Sequence, residues 1–306
     1  MFNEQEEWLV GCPGMEGTSG FAATGQVHDG IPVLWNPKSL MASDKYLPYE
    51  QIKLGLVGTV GTHAGASGEK LPVLIVQEWD ALHKNHPGFQ NSYMEEWLGL
   101  FVHEAFHARQ MWHPQVKTIT ERWSAEKPPV TADELASFYK REESFRTSIA
   151  REVEVLRAAT EDPSLNASKA RTALAQWLKL YQQREAAFSS AMETAFPGKS
   201  AWFMDGFETF LEGSARYVEA RFLISPPERS LELLEGEPTF HQFEQTKGKR
   251  PSQLPGLGNV GARYFYAVGM YLCFVLDVAE PAWKSKVFDS DRLLIGEVAR
   301  FVASQP

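Results

Sequence analysis

His103-Glu104-Ala105-Phe106-His107 places two imidazoles four residues apart with a carboxylate between them. On a helix, residues at that spacing share a face, so both rings can reach one ion. Glu104 projects near the same point, where it can take a proton from a water on the ion and return it to a leaving amine. The surrounding Phe101, Val102, Ala105 and Phe106 predict burial. Two histidines and a glutamate are costly to bury without partners, which favours a metal site over a wet helix face.

A catalytic zinc takes three protein ligands and keeps one position open. Two stretches offer the third ligand. His113 lies ten residues after His103, the spacing of an HExxHxxGxxH pattern. That pattern needs a glycine where this chain has Gln110, because the backbone must leave the helix in a left-handed conformation. Trp112-His113-Pro114 reads more simply as a helix end, with His113 as a polar cap. The second stretch is Phe210-Leu211-Glu212-Gly213-Ser214-Ala215-Arg216-Tyr217-Val218-Glu219. Its carboxylates on one face, Glu212 and, one turn earlier, Glu208, are the ones it could offer. Histidines that hold a metal usually donate their other N–H to a carboxylate, and Glu208 and Glu219 are the natural acceptors. Each reads equally well as part of a solvated helix face.

These two stretches together resemble the gluzincin metallopeptidases, which include thermolysin and the zinc aminopeptidases. In the aminopeptidases the second motif reads Asn-Glu-Gly-Phe-Ala-x-Tyr-x-Glu. Glu212 stands at the family's zinc-binding Glu, and Gly213, Ala215, Tyr217 and Glu219 match at the same spacing. Leu211 replaces the usual Asn, the gap from His107 to Glu212 is longer than in those enzymes, and no exopeptidase signature is present. The resemblance covers two short motifs. It implies Zn²⁺ held by His103, His107 and Glu212, a peptide or protein substrate, and small residues that let the Glu212 helix approach the HExxH helix closely. It also implies an N-terminal edge strand, here residues 71–77, that aligns an extended substrate by β-addition.

Peptide hydrolysis further needs a donor for the oxyanion. Arg263, Tyr264 and Tyr266 open the last core helix, and similar metallopeptidases place a tyrosine at a comparable position. Tyr266 and Tyr264 are therefore the catalytic candidates, against the plain reading that both are core aromatics. His241 and the earlier His28, His63, His83 and His86 receive no role. Three other readings stay open. One is a metzincin-like hydrolase that uses His113. Another is a metal-binding scaffold without turnover, against which the intact Glu104 speaks. The last is a helical protein with no metal at all.

The elements that must position these residues change character near residue 90. Before it, Gly, Pro and Thr are frequent, and Ile31–Trp35 and Leu71–Val76 read as strands of a small sheet. Gly58–Gly68, rich in Gly, Ser and Ala, reads as a flexible loop. After it the chain turns helical. Ser92–Glu95 has the form of a capping box opening a helix that stops before Pro114. Thr131–Glu134 is a second capping box, starting one long segment to about residue 160. With a helix from Ala167 to Phe196 it forms an antiparallel hairpin that is expected to roof the cleft. Further helices are expected over about Ala201–Leu223 and Gly261–Val278, with a loop-rich stretch between them and a short amphipathic C-terminal segment. The predicted fold is α+β and predominantly α-helical. A small N-terminal β-rich subdomain, residues 1–90, packs on a helical zincin-like core, residues 91–306, with the hairpin at about 131–196 as an insertion.

The 306 residues are 43% hydrophobic and 23% charged, an ordinary globular balance. Thirty Lys and Arg against thirty-nine Asp and Glu leave a net charge of −9, which counts against a nucleic-acid partner. The one basic cluster, Lys247-Gly248-Lys249-Arg250, reads as a solvated turn. Cys12 and Cys273 form no CxxC pair, and Cys273 reads as a buried thiol. The longest charge-free apolar run, Tyr264–Leu276, is too short to span a bilayer. An acidic N-terminus without a basic n-region or apolar h-region predicts a cytoplasmic protein, or an exported one whose leader has been trimmed.

Overall fold

The computed structural model describes residues 7–10, 22–28, 31–36, 58–64, 70–76, 78–85, 94–126, 128–226, 246–254, 256–289 and 293–304. The fold is α+β and mostly helical. Two compact units divide the chain: Met1–Ala108 with Arg229–Gln242, and Arg109–Glu228 with Phe243–Pro306.

In the first unit, β1 (Glu7–Val10), β2 (Ala22–His28) and β3 (Ile31–Asn36) form an antiparallel sheet in the order β1-β3-β2. Leu34 on the central strand is buried. Pro32 lacks an N–H for the ladder, and it lies where β3 pairs with β2 alone, since the pairing with β1 begins at Val33. The β2 register shifts between Ala23 and Val27, with Gly25 at a φ of 76° and the Thr24 hydroxyl donating to the Val33 carbonyl at 2.7 Å.

A second antiparallel pair joins β4 (Gly58–Ala64) to β5 (Lys70–Val76) along their whole lengths. This corrects the loop expected over Gly58–Gly68 as far as Ala64. Thr59, Val60 and Thr62 are β-branched residues set among the small ones, and the ladder to an apolar partner outweighs the cost of the glycines. Helix α1 (Trp79–Asn85) follows, anchored by buried Trp79 and Leu82.

Helix α2 (Met94–Trp112) ends ahead of Pro114, as expected. The Ser92 half of its predicted capping box lies outside the described residues. Its buried positions are Glu95, Gly99, His103, His107 and Gln110, a single stripe at helical spacing, whereas Phe101, Val102, Ala105 and Phe106 are only half-buried. The face predicted to be buried by its apolar residues is thus buried through its polar ones.

In the second unit, α3 (Pro114–Glu126) starts with proline at its first position, where the missing N–H costs nothing. Thr131 and Glu134 form the predicted capping box of α4 (Ala132–Arg141). The single long segment expected to follow is broken at Glu142, whose extended backbone caps α4 and opens α5 (Glu143–Glu161). A short turn leads into α6 (Ala167–Ala195), capped by the Asn166 side chain. Helices α5 and α6 pack on each other as the predicted hairpin. Then come α7 (Ala201–Ile224), α8 (Phe265–Ala279), α9 (Trp283–Asp289) and α10 (Leu294–Ala303).

Helix α8 is apolar on every side and packs on α5, α6 and α7, so it is the centre of this unit. Its Cys273 is a buried free thiol, as expected. The predicted basic turn has Lys247 and Lys249 exposed. Beside them the Thr246 hydroxyl and the Gly248 N–H donate to the Leu223 and Ile224 carbonyls, closing the C-terminal end of α7.

Helices α7 and α8 meet backbone to backbone at Gly213 and Gly269. A Cβ on Gly269 would run into the Thr209 carbonyl oxygen and the Gly213 Cα, and one on Gly213 would lie 2.9 Å from the Phe265 carbonyl oxygen. Backbone cannot rotate away as a side chain can, so Gly269→Ala is expected to cost about 1–3 kcal/mol in urea unfolding. Gly206→Ala, whose Cβ would meet the flexible end of Ile295 at 3.3 Å, should cost clearly less. Equal losses would refute the close-contact argument. The small residue at 213, expected to serve approach to the HExxH helix, serves approach to α8.

Guanidinium Arg184 of α6 is buried at the centre of the unit. It donates to both oxygens of Glu152 on α5, at 2.6 and 3.3 Å, and to both of Asp205 on α7, at 3.1 and 3.2 Å. The rings of Phe145, Tyr181, Trp202 and Tyr264 stand around it at 4.9–5.8 Å. Burial, outweighing the pull of Arg184, raises the Glu152 carboxyl above its ordinary range.

Candidate metal centre

One turn of α2 separates His103 from His107, which are 3% and 9% exposed. Their Nε2 atoms face each other at 3.0 Å and the rings meet edge to face with centroids 4.7 Å apart. One ligand atom from each of His103, His107 and Glu212 lies within 4.8 Å of the others, the only such group among the described residues. Glu212 is half-buried on α7. Two imidazole nitrogens and a carboxylate oxygen are a donor set of the kind that could hold a divalent cation. With the Nε2 atoms of the two rings facing each other, each Nδ1 lies on the far side of its ring, the side from which a ligand histidine is normally oriented. Glu104 follows His103 on the helix and is half-buried.

Around Glu212 the partners come from α7 and the start of α8. The Tyr266 hydroxyl donates to the Glu212 carboxylate; burial, then this charge and hydrogen bond, raise the phenol above its ordinary range. Arg263 donates to the Tyr266 oxygen, and to Asp133 at 3.0 Å. The Arg216 guanidinium lies 4.9 Å from the centroid of the Tyr266 ring and pairs with Glu219 at 3.0 Å. Glu219, expected to support a ligand histidine, is thus joined to Glu212 through Arg216 and Tyr266. Glu208, the alternative ligand, is buried on the turn before Glu212. Burial first, and the charge of Glu212 second, push its carboxyl up to about 7.

The two candidate tyrosines part company. They are two residues apart at the start of a helix and so face different sides. Tyr266 reaches Glu212, while the Tyr264 hydroxyl is fully buried and donates to Asp205. Its surroundings are those of the Arg184 cluster, not of the His103, His107 and Glu212 group.

His113 is not part of the ligand group. Its Nδ1 accepts from the Gln115 N–H at 3.4 Å, and its ring packs on Phe288 at 5.1 Å. It caps the start of α3, the bland alternative of the sequence reading. Gln110 keeps helical conformation and needs no left-handed turn. Instead its buried amide reaches α7, a contact that sequence reasoning missed. The signal was present, since Gln110 continues the stripe of Glu95, Gly99, His103 and His107.

No protein-family model, curated protein or solved structure matches this chain. No described helix is long and apolar enough to cross a membrane.

Proposed function

We propose that the chain is a zinc-dependent peptidase of gluzincin type, with His103, His107 and Glu212 holding the ion. The observation that carries this reading is the grouping of one ring nitrogen from each histidine and a Glu212 carboxylate oxygen within 4.8 Å of one another, on residues that an HExxH motif and a downstream Glu-Gly segment singled out. A bound Zn²⁺ supplies Lewis acidity, which polarises a carbonyl and makes water a nucleophile near neutral pH.

The protein's own residues then do the following. Glu104 takes a proton from the attacking water as its oxygen adds to the peptide carbonyl carbon. It delivers that proton to the amine nitrogen as the C–N bond breaks. Tyr266 is the better placed of the two tyrosines to donate to the oxyanion, because its hydroxyl lies at Glu212 and its one proton can turn from that carboxylate to the oxyanion as charge develops there. Strand β5, which pairs with β4, covers all but the last residue of the edge strand that the gluzincin resemblance implies, and in this reading it aligns an extended peptide by β-addition.

Metal content decides the ligand set. Elemental mass spectrometry of the wild type, Glu212→Ala and His113→Ala, purified side by side, should find about one zinc per chain in the wild type and in His113→Ala. Glu212→Ala should have lost most of it. A wild type that takes up no zinc even after metal is added back would overturn the proposal. Loss confined to His113→Ala would move the third ligand to His113.

A further inference from the structure

We infer that Gln110 is a positioning residue, which sets the register of the HExxH helix on the helix that carries Glu212. This rests on the metal-site reading above. The Gln110 side chain is wholly buried. Its Nε2 reaches the Ser214 Oγ at 2.8 Å, the Leu211 carbonyl at 3.1 Å and the Phe210 carbonyl at 3.4 Å. Those acceptors bracket Glu212 on α7, and Gln110 itself lies one turn beyond His107 on α2.

The polarity of the contact is determined. The Ser214 hydroxyl has one proton, and it donates that proton to the Phe210 carbonyl at 2.6 Å. Its oxygen is therefore the acceptor toward Gln110, and Gln110 must be the donor. A leucine of similar size would fill the space but leave the height of one helix on the other to apolar packing, which has no direction. Two N–H groups shared among acceptors on successive turns fix that height. Metal ligands need it fixed, because bond lengths to the ion tolerate only about 0.2 Å. A change at Gln110 is thus transmitted to the ligand atoms through a single turn on each side.

The test uses Co²⁺ as the probe, added to full-length, metal-free protein. Visible absorption reports the geometry of the bound ion, and a titration reports its affinity. Gln110→Leu and Ser214→Ala should each weaken Co²⁺ binding by about 10–100-fold and alter the visible bands. The double variant should lose little more than Gln110→Leu alone, because Ser214→Ala removes one of the contacts that Gln110→Leu already removes. Urea unfolding of the metal-free forms separates this from a structural role, which would lower stability and leave the spectrum of the bound ion unchanged. If Gln110→Leu fails to fold, Ser214→Ala carries the test alone. Wild-type affinity and bands in the folded variants would overturn the inference while leaving the metal site standing. A wild type that binds no Co²⁺ would overturn both.

Discussion

Under the proposed peptidase function, Glu104→Gln is expected to lower peptide hydrolysis by about 10²–10⁴-fold while the zinc content stays at the wild-type level. Gln keeps the shape of Glu but has no basic oxygen able to take a proton at neutral pH. The position is half-buried and follows His103 directly on α2, so the amide needs no rearrangement to fit. The measurement is kcat/KM on a fluorogenic peptide, paired with metal analysis of the same preparation. Retained zinc with lost turnover is the signature of a proton carrier. Near-wild-type turnover would remove Glu104 from the mechanism, and loss of zinc as well would make it part of what holds the ion.

Arg184→Met is expected to destabilise the protein by about 3–5 kcal/mol at neutral pH. Arginine and methionine fill comparable space, so the cost is electrostatic. The Glu152 and Asp205 carboxylates would remain buried with their shared guanidinium gone. The loss should depend on pH in a stated sense. The Glu152 carboxyl is already raised by burial with Arg184 in place, and removing the cation raises it further. A group whose folded pKa lies above its unfolded value favours folding at low pH and loses that contribution as pH rises through the folded value. The deficit of the variant relative to wild type should therefore be smallest near and below the ordinary glutamate value of 4.5. It should grow as pH rises above that. Urea unfolding of both proteins across that range checks it, and a deficit that does not change with pH would show that packing rather than charge is responsible.

The helical half of the fold was legible in advance because its signals are local. A capping box at Thr131–Glu134 and an apolar period through Phe145, Ile149, Val153 and Leu156 act within a few residues. What failed depends on partners distant in sequence. Residues 58–64 are a strand because Leu71–Val76 pairs with them, although their own composition reads as a loop. Glu142 breaks one predicted helix into two, and no proline or glycine marks the break.

The site shows the same division. The pairing of His103 with His107 could be read from spacing, and Glu212 from the resemblance of its segment to the gluzincin motif. The separation of Tyr264 from Tyr266 could not, because it depends on Asp205 lying beside one and Glu212 beside the other. The Arg184 cluster was within reach. Glu152 falls on the apolar stripe of α5, and Arg184 continues Leu174, Trp177 and Tyr181 on α6. A charge on a buried stripe predicts an opposite charge on a neighbouring element.

The glycine contact between α7 and α8 bears on descent as well as on stability. Neither Gly213 nor Gly269 can enlarge alone, and enlarging both compounds the clash, so drift at one site cannot be rescued at the other. A chain that inherits this backbone must keep both positions small at once, whatever its HExxH segment has become. The pair therefore constrains the scaffold separately from the chemistry. A chain on this backbone that had lost its histidines would still need both glycines.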